Sequence, residues 1–144
     1  MINPQEIELP YPTSATIKGA IVVMAGDILE LFYDYAGLDA PPVWGRLRFR
    51  EVLAYQWLSD VCCSAEHILR FDSMRASADS AWLTELLDRW DRLVEWRQYQ
   101  EELGGRKRFR HYRVYFDELG CLDVVASSVE FERDASPPAT ESSG

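Results

Sequence analysis

Few residues in this chain could do chemistry, and their spacing excludes most of the options. Cys62-Cys63 and His67 place two sulfurs and a nitrogen on one short segment. Structural zinc draws on spaced ligand pairs such as C-x-x-C. Adjacent cysteines leave a helix in different directions, so at most one shares the His67 face. No metal is expected, and the cysteines read as core or semi-buried thiols, a common fate of free Cys. Cys121 and His111 lie far apart along one predicted hairpin. A strand rises roughly 3.3 Å per residue, so they are too distant for the hydrogen bond of a Cys–His nucleophile pair. Asp27, Glu30, Asp34, Asp117, Glu118 and Asp123 are candidate acid–base carboxylates, but a chain with 24 acidic residues offers many chance pairs. Acid–base work needs geometry and shifted pKa values. There is no Gly-rich loop of the P-loop or Rossmann kind. The reading is of no catalytic group and no cofactor.

The clearest element is a C-terminal β-hairpin over residues 108–126. Asp117-Glu118-Leu119-Gly120 suits a type I turn ending in a left-handed Gly. Pairing Asp117 with Cys121 would set Phe116 against Leu122, Val114 against Val124 and Tyr112 against Ala126, an apolar face for the core. The other face would carry Tyr115 against Asp123, Arg113 against Val125 and His111 against Ser127. A slip of one residue would mix the two sets. The half-polar face is therefore either wet sheet or a recognition surface.

Other elements must support this hairpin. Residues 1–14 hold Pro4, Pro10 and Pro12 and read as an extended arm or edge segment. Residues 16–24 are β-branched and apolar, a strand. Gly26-Asp27 can turn the chain in a type II′ hairpin, so that Met24, Val22 and Ala20 meet Leu29, Leu31 and Tyr33. A helix from Asp27 to Gly37 is the rival, and the matched apolar faces favour the strand. Residues 44–50 alternate Arg with apolar residues, a half-buried strand. Leu53, Tyr55 and Trp57 continue the parity of Leu47 and Phe49, and Glu51 interrupts it, which predicts a bulge or bend. A short helix is expected after Ser59-Asp60, with Val61, Ala65, Ile68 and Leu69 as its stripe. Residues 72–79 read as loop. Asp79 or Ser80 caps the main helix, whose stripe is Leu83, Leu86, Leu87, Trp90 and Val94. Trp96, Tyr99 and Leu103 lie on a nearly opposite side, so the helix covers about 80–95 or 80–103, to end at Gly104-Gly105. On the helix, Glu85, Asp88 and Glu95 read as a solvated face. The expected fold is α+β: an antiparallel β-sheet with one main helix packed on it. Residues 1–133 form a single domain, and 134–144 have the composition of a disordered tail.

Charge narrows the partners. Net charge is −9 in 144 residues, with 47% hydrophobic residues and five Trp. This is a folded domain, and one that repels nucleic acid and anionic membranes and is steered towards basic partners. Arg106, Lys107, Arg108, Arg110 and Arg113, interleaved with Phe109 and Tyr112, could stack on single strands, but Tyr112 belongs to the inward face. A positive strand that complements the acidic helix is the plainer reading. The apolar run 20–25 is too short to span a bilayer, no signal sequence opens the chain, and three cysteines make no disulfide framework. A cytoplasmic protein is expected.

The segment His111 to Ala126, with Leu47-Arg48-Phe49 and the helix start Ser80-Ala81-Trp82-Leu83, resembles small bacterial proteins, some of them similar to immunity proteins of polymorphic-toxin and contact-dependent inhibition systems. The resemblance spans about residues 16–131. It implies a cytoplasmic, non-enzymatic protein that binds and neutralises a toxin, a basic one given the acidic charge. Trp96, Tyr99, His111, Arg113, Tyr115 and Asp123 are the nominated partner-binding residues. The alternative is a small-ligand or enzymatic domain with a pocket between sheet and helix, converging on His67, His111 or Cys62.

Overall fold

A computed structural model describes residues 5–10, 13, 16, 19–36, 41, 43–63, 73–92, 105–116 and 119–138. The strands are β1 (Gln5–Glu8), β2 (Ala20–Ala25), β3 (Ile28–Asp34), β4 (Trp44–Arg50), β5 (Ala54–Ser59), β6 (Ser73–Ser77), β7 (Arg110–Phe116), β8 (Gly120–Ala126) and β9 (Ser128–Glu132). Helix α1 spans Ala81–Asp91. All strand pairings are antiparallel. They build a five-stranded sheet of order β1-β6-β7-β8-β5 and a four-stranded sheet of order β2-β3-β4-β9. The single sheet expected from sequence is thus two.

The two sheets share one core. Alternation along β3 and β4 buries Leu29, Leu31, Tyr33, Leu47 and Phe49, while β7 and β8 contribute Tyr112, Val114, Phe116, Leu122 and Val124. Tyr33 meets Phe116 edge-on with ring centres 5.0 Å apart, and Phe49 meets Tyr112 at 5.5 Å. These contacts join the four-stranded sheet to the five-stranded one. The outer face of β4 carries Arg46, Arg48 and Arg50, answered by Glu30, Glu130 and Glu132 on the flanking strands. This is the wet face that the Arg–apolar alternation implies.

A bent two-stranded ribbon links the sheets. β4 runs on into β5, and β8 into β9. Arg50 pairs with Ser128 and Ala54 with Val125, so four steps on one strand oppose three on the other. The extra residue makes a bulge, and Glu51 at φ 52° takes the left-handed conformation there. Ser127 closes the corner by donating its N–H to Arg50 O at 3.0 Å. The bulge expected at Glu51 is therefore present, and its role is to carry the ribbon from one sheet to the other.

The β2–β3 hairpin has the expected register, with Met24 opposite Leu29, Val22 opposite Leu31 and Ala20 opposite Tyr33. Gly26 supplies the positive φ of 62° that the turn requires. The C-terminal hairpin is displaced by two residues from expectation: Phe116 pairs with Gly120, Val114 with Leu122, Tyr112 with Val124 and Arg113 with Asp123. An even displacement keeps every side chain on its expected face. Residues 72–79, read as loop, contain β6, whose Met74 and Ala76 point to the core. Val61 was expected on a buried stripe but is 91% exposed on a 3-10 turn, Asp60–Cys62. Residue 134 does not begin a free tail, because Ala135 is buried and donates its N–H to Trp44 O at 2.9 Å. The stretch 93–104 and residues 139–144 lie outside the described residues. No helix among the described residues is long and apolar enough to cross a membrane.

Gly120 is tightly constrained. A Cβ there would sit 2.2 Å from Leu58 O and 2.9 Å from the Trp57 ring, at a φ of +148°. Gly120→Ala is expected to lower stability by about 2–3 kcal/mol. Gly26→Ala, with open space around it, should cost only about 1 kcal/mol. Urea denaturation of the two variants checks the order.

Candidate functional site

The outer face of the five-stranded sheet, read from sequence as either wet sheet or a recognition surface, is largely covered. Leu83 and Leu87 of α1 pack on Phe109 and Val125, with Trp82 and Leu86 at the margin. His111 is 5% exposed, Tyr115 4% and Asp123 0%. The alternation of the hairpin says which side each residue takes; what lies over that side, α1 near His111 and the Asp60–Cys62 turn near Tyr115, decides whether it meets water. These three residues are therefore not available as surface contacts for a protein partner, and only Arg113 of the set remains half-exposed. Trp96 and Tyr99, as well as His67, lie outside the described residues.

One polar row crosses the whole sheet. Glu6 of β1 is opposite Arg75 of β6, Arg75 opposite Arg113 of β7, Arg113 opposite Asp123 of β8, and Asp123 opposite Gln56 of β5. Asp123 is the hub. Its Oδ1 accepts from His111 Nε2 at 2.8 Å and from Arg113 Nε at 2.8 Å, and its Oδ2 accepts from Gln56 Nε2 at 3.2 Å. Burial pushes the Asp123 carboxyl up. The hydrogen bonds and charges of His111 and Arg113 more than offset this and hold it well below the usual carboxylate range.

A carboxylate can only accept, so Nε2 of His111 carries a proton. The other ring nitrogen, Nδ1, lies 2.8 Å from Ser80 Oγ. Ser80 is the residue before α1, and its Oγ also accepts the N–H of Leu83 at 3.2 Å. The N-cap expected from sequence is thus Ser80. Ser80, His111 and Asp123 have the residue types of a hydrolytic triad. Their hydrogen bonds are those of a tethered cap: Ser80 Oγ is held by a backbone N–H, and Asp123 Oδ1 is divided between two donors. What the chain of bonds does is pin the start of α1 to the sheet.

Tyr115 donates its hydroxyl to Asp60 Oδ1 at 2.7 Å. Among the cysteines, Cys62 is exposed, and the Cys63 thiol donates towards Cys121 Sγ at 3.0 Å. Burial, followed by the contact with Cys63, pushes the Cys121 thiol far up, which disfavours the thiolate. No group of three or more His, Cys, Asp or Glu among the described residues could hold a metal ion. Of the basic run, Arg108 pairs with Glu51 at 3.0 Å, Arg110 donates to the carbonyls of Lys107 and Phe109, and Arg113 serves Asp123.

Beside the network lies a cleft of about 330 Å3, lined by Arg75, Ser77, Ser80, Trp82, His111 and Arg113. The Trp82 ring stands edge-on to the His111 ring with centres 5.0 Å apart. A pocket between sheet and helix bordered by His111 was the alternative expectation. Arg75 was missed because its segment was read as loop; Met74 and Ala76 flanking it at strand spacing were the available signal.

No protein-family model matches this chain, and no curated protein or solved structure is recognisably similar to it.

Asp123→Asn should destabilise the fold by on the order of 3 kcal/mol at neutral pH. Because the folded carboxyl is held below its unfolded value, the stability it contributes is present above about pH 4 and is lost as pH falls further. The gap between wild type and variant should therefore narrow on acidification below about pH 4, as urea midpoints across a pH series would show. Ser80→Ala should cost about 1 kcal/mol as a lost cap, read in the same way.

Proposed function

We propose that this chain is a non-enzymatic protein-binding protein of the immunity type, which neutralises a basic toxin by docking it along β5. One observation carries the reading. Among the described residues, β5 is an edge of the five-stranded sheet. Its sequence, Ala54-Tyr55-Gln56-Trp57-Leu58-Ser59, has no charge and no proline. Edge strands normally carry such residues to prevent pairing with other chains. Here the strand and its flanks instead expose large apolar side chains: Leu53 at 40%, Tyr55 at 46%, Trp57 at 38% and Val61 at 91%.

An uncharged edge with aromatic side chains suits strand addition by a partner, with main-chain bonds for affinity and Tyr55 and Trp57 as anchors. The net charge of −9 favours a basic partner by steering and complementarity. The contact surface is thereby moved from the hairpin face, where the sequence reading put it, to the strand at its side.

A photo-crosslinking residue in place of Tyr55, introduced in the native host, should capture a protein with an isoelectric point above neutrality. That protein, expressed alone, should arrest growth, and co-expression of this chain should restore it. With both proteins purified, Tyr55→Ala and Val61→Asp should each weaken binding at least tenfold, a loss of about 1.4 kcal/mol. Both residues are exposed, so the fold should survive. Unchanged affinity in both variants, or a captured partner without toxicity, would sink the proposal.

A further inference from the structure

We infer that the cleft between the Ser80 end of α1 and the outer face of the five-stranded sheet binds a small ligand carrying an oxyanion, a carboxylate or a phosphate ester, on a compact apolar body. This site is separate from the β5 edge.

The argument begins with Arg75. It stands directly opposite Arg113 in the β6–β7 ladder, on the same face. Like charges at such positions repel. Arg113 is answered by Asp123. Arg75 has no hydrogen bond or ion pair among the described residues, although Glu6 is its cross-strand neighbour on β1. The lining holds two guanidinium groups and an imidazole and no carboxylate. Asp79, which accepts the Ser77 hydroxyl at 3.2 Å, is adjacent in sequence but does not line the cleft. The hollow is thus lined by basic groups in a protein of net charge −9, with the carboxylates of Asp123 and of the cross-strand neighbour Glu6 outside its walls.

The remaining walls fit the same ligand. Arg forks match the geometry of carboxylate and phosphate oxygens. Ala81 at the start of α1 also lines the cleft, where first-turn N–H groups favour negative charge. Trp82, held edge-on by His111, offers an apolar wall for the body of the ligand. The volume, about 330 Å3, lies at the lower end of small-ligand pockets, which begin near about 300 Å3.

Isothermal titration calorimetry at low ionic strength, with phenyl phosphate, benzoate, benzamide and inorganic phosphate, tests the site. Saturable binding is expected for phenyl phosphate or benzoate and not for benzamide, and the tighter of the two assigns the oxyanion. Arg75→Gln, which keeps part of the aliphatic stem and removes the charge, should weaken that binding at least tenfold. Its melting temperature should equal or exceed that of the wild type, because a like-charge contact is relieved. Arg89→Gln, on the solvated face of α1, should leave binding unchanged. Three results would overturn the inference: no saturable binding of either aromatic anion, unchanged affinity in Arg75→Gln, or a lower melting temperature in that variant, which would make Arg75 a structural cation. Inorganic phosphate binding as tightly as phenyl phosphate would show an adventitious ion only and would also overturn it.

Discussion

A buried carboxylate must have its charge answered by the protein, because water cannot reach it. Asp123 is fully buried on β8, between β7 and the edge strand β5, and much of the local architecture follows from that need. Arg113 and His111 come from β7, one strand away, and Gln56 from β5 on the other side. Having given one nitrogen to Asp123, His111 has one left, and that nitrogen meets Ser80. The helix start is thereby placed over β7 by a chain of hydrogen bonds that begins at the carboxylate. Replacing the whole row by apolar residues could be neutral for stability. Removing one member leaves the others unsatisfied, and that asymmetry makes the row act as a unit.

The second constraint is the ribbon of β4–β5 and β8–β9. A sheet that remained flat would expose one face of β8. The bulge at Glu51 turns the ribbon through a corner, so that β8 packs inwards on the four-stranded sheet while its other face receives α1. β8 is buried along its whole length, its outer face being covered by α1 at Val125 and by the Asp60–Cys62 turn and Cys63 near Cys121. Phe109, immediately before β7, and Val125 supply the apolar patch on which Leu83 and Leu87 rest. The polar row lies beside this patch, where the helix begins.

Much of the fold was legible, and the failures have physical causes. Alternation over 20–34 indicated both pairing and face, because apolar residues on facing strands match in only one register; over 44–50 it indicated the face alone, and the partners of that strand were not legible. In the C-terminal hairpin, the face was legible and the register was not: shifting by two preserves every inside–outside choice, and the observed register sets Gly120, with no room for a Cβ, against Trp57 and Leu58. β6 escaped notice because it is short, with small residues and a single Met in place of branched apolar ones. The covering of the hairpin's second face was also hidden. His111, Arg113, Tyr115 and Asp123 were recognised as one set, and Asp79 or Ser80 as the cap, but a period-2 pattern carries no record of which helix lies over it. Arg75 joins the set only once β6 is recognised as a strand.

The polar row also bears on how the two surfaces of this protein can be separated. Gln56 belongs to the edge strand β5, and Arg75 to the cleft. Between them stand Asp123 and Arg113, and Asp123 gives one oxygen to Arg113 and His111 and the other to Gln56. A substitution at the centre would disturb both surfaces through one loss of charge compensation, and its effects on binding at either could not be told from its effect on the fold. Tyr55 and Val61 at one side and Arg75 at the other lie outside the hydrogen-bonded core of the row. Exposed or unpaired groups cost the fold little when removed, so a large effect of their removal must come from what they touch outside the chain. The same reasoning marks Arg75 as the informative residue: it stands between Arg113 and Glu6 in the row and outside the hydrogen bonds of Asp123, so its removal can be read at the cleft without breaking them.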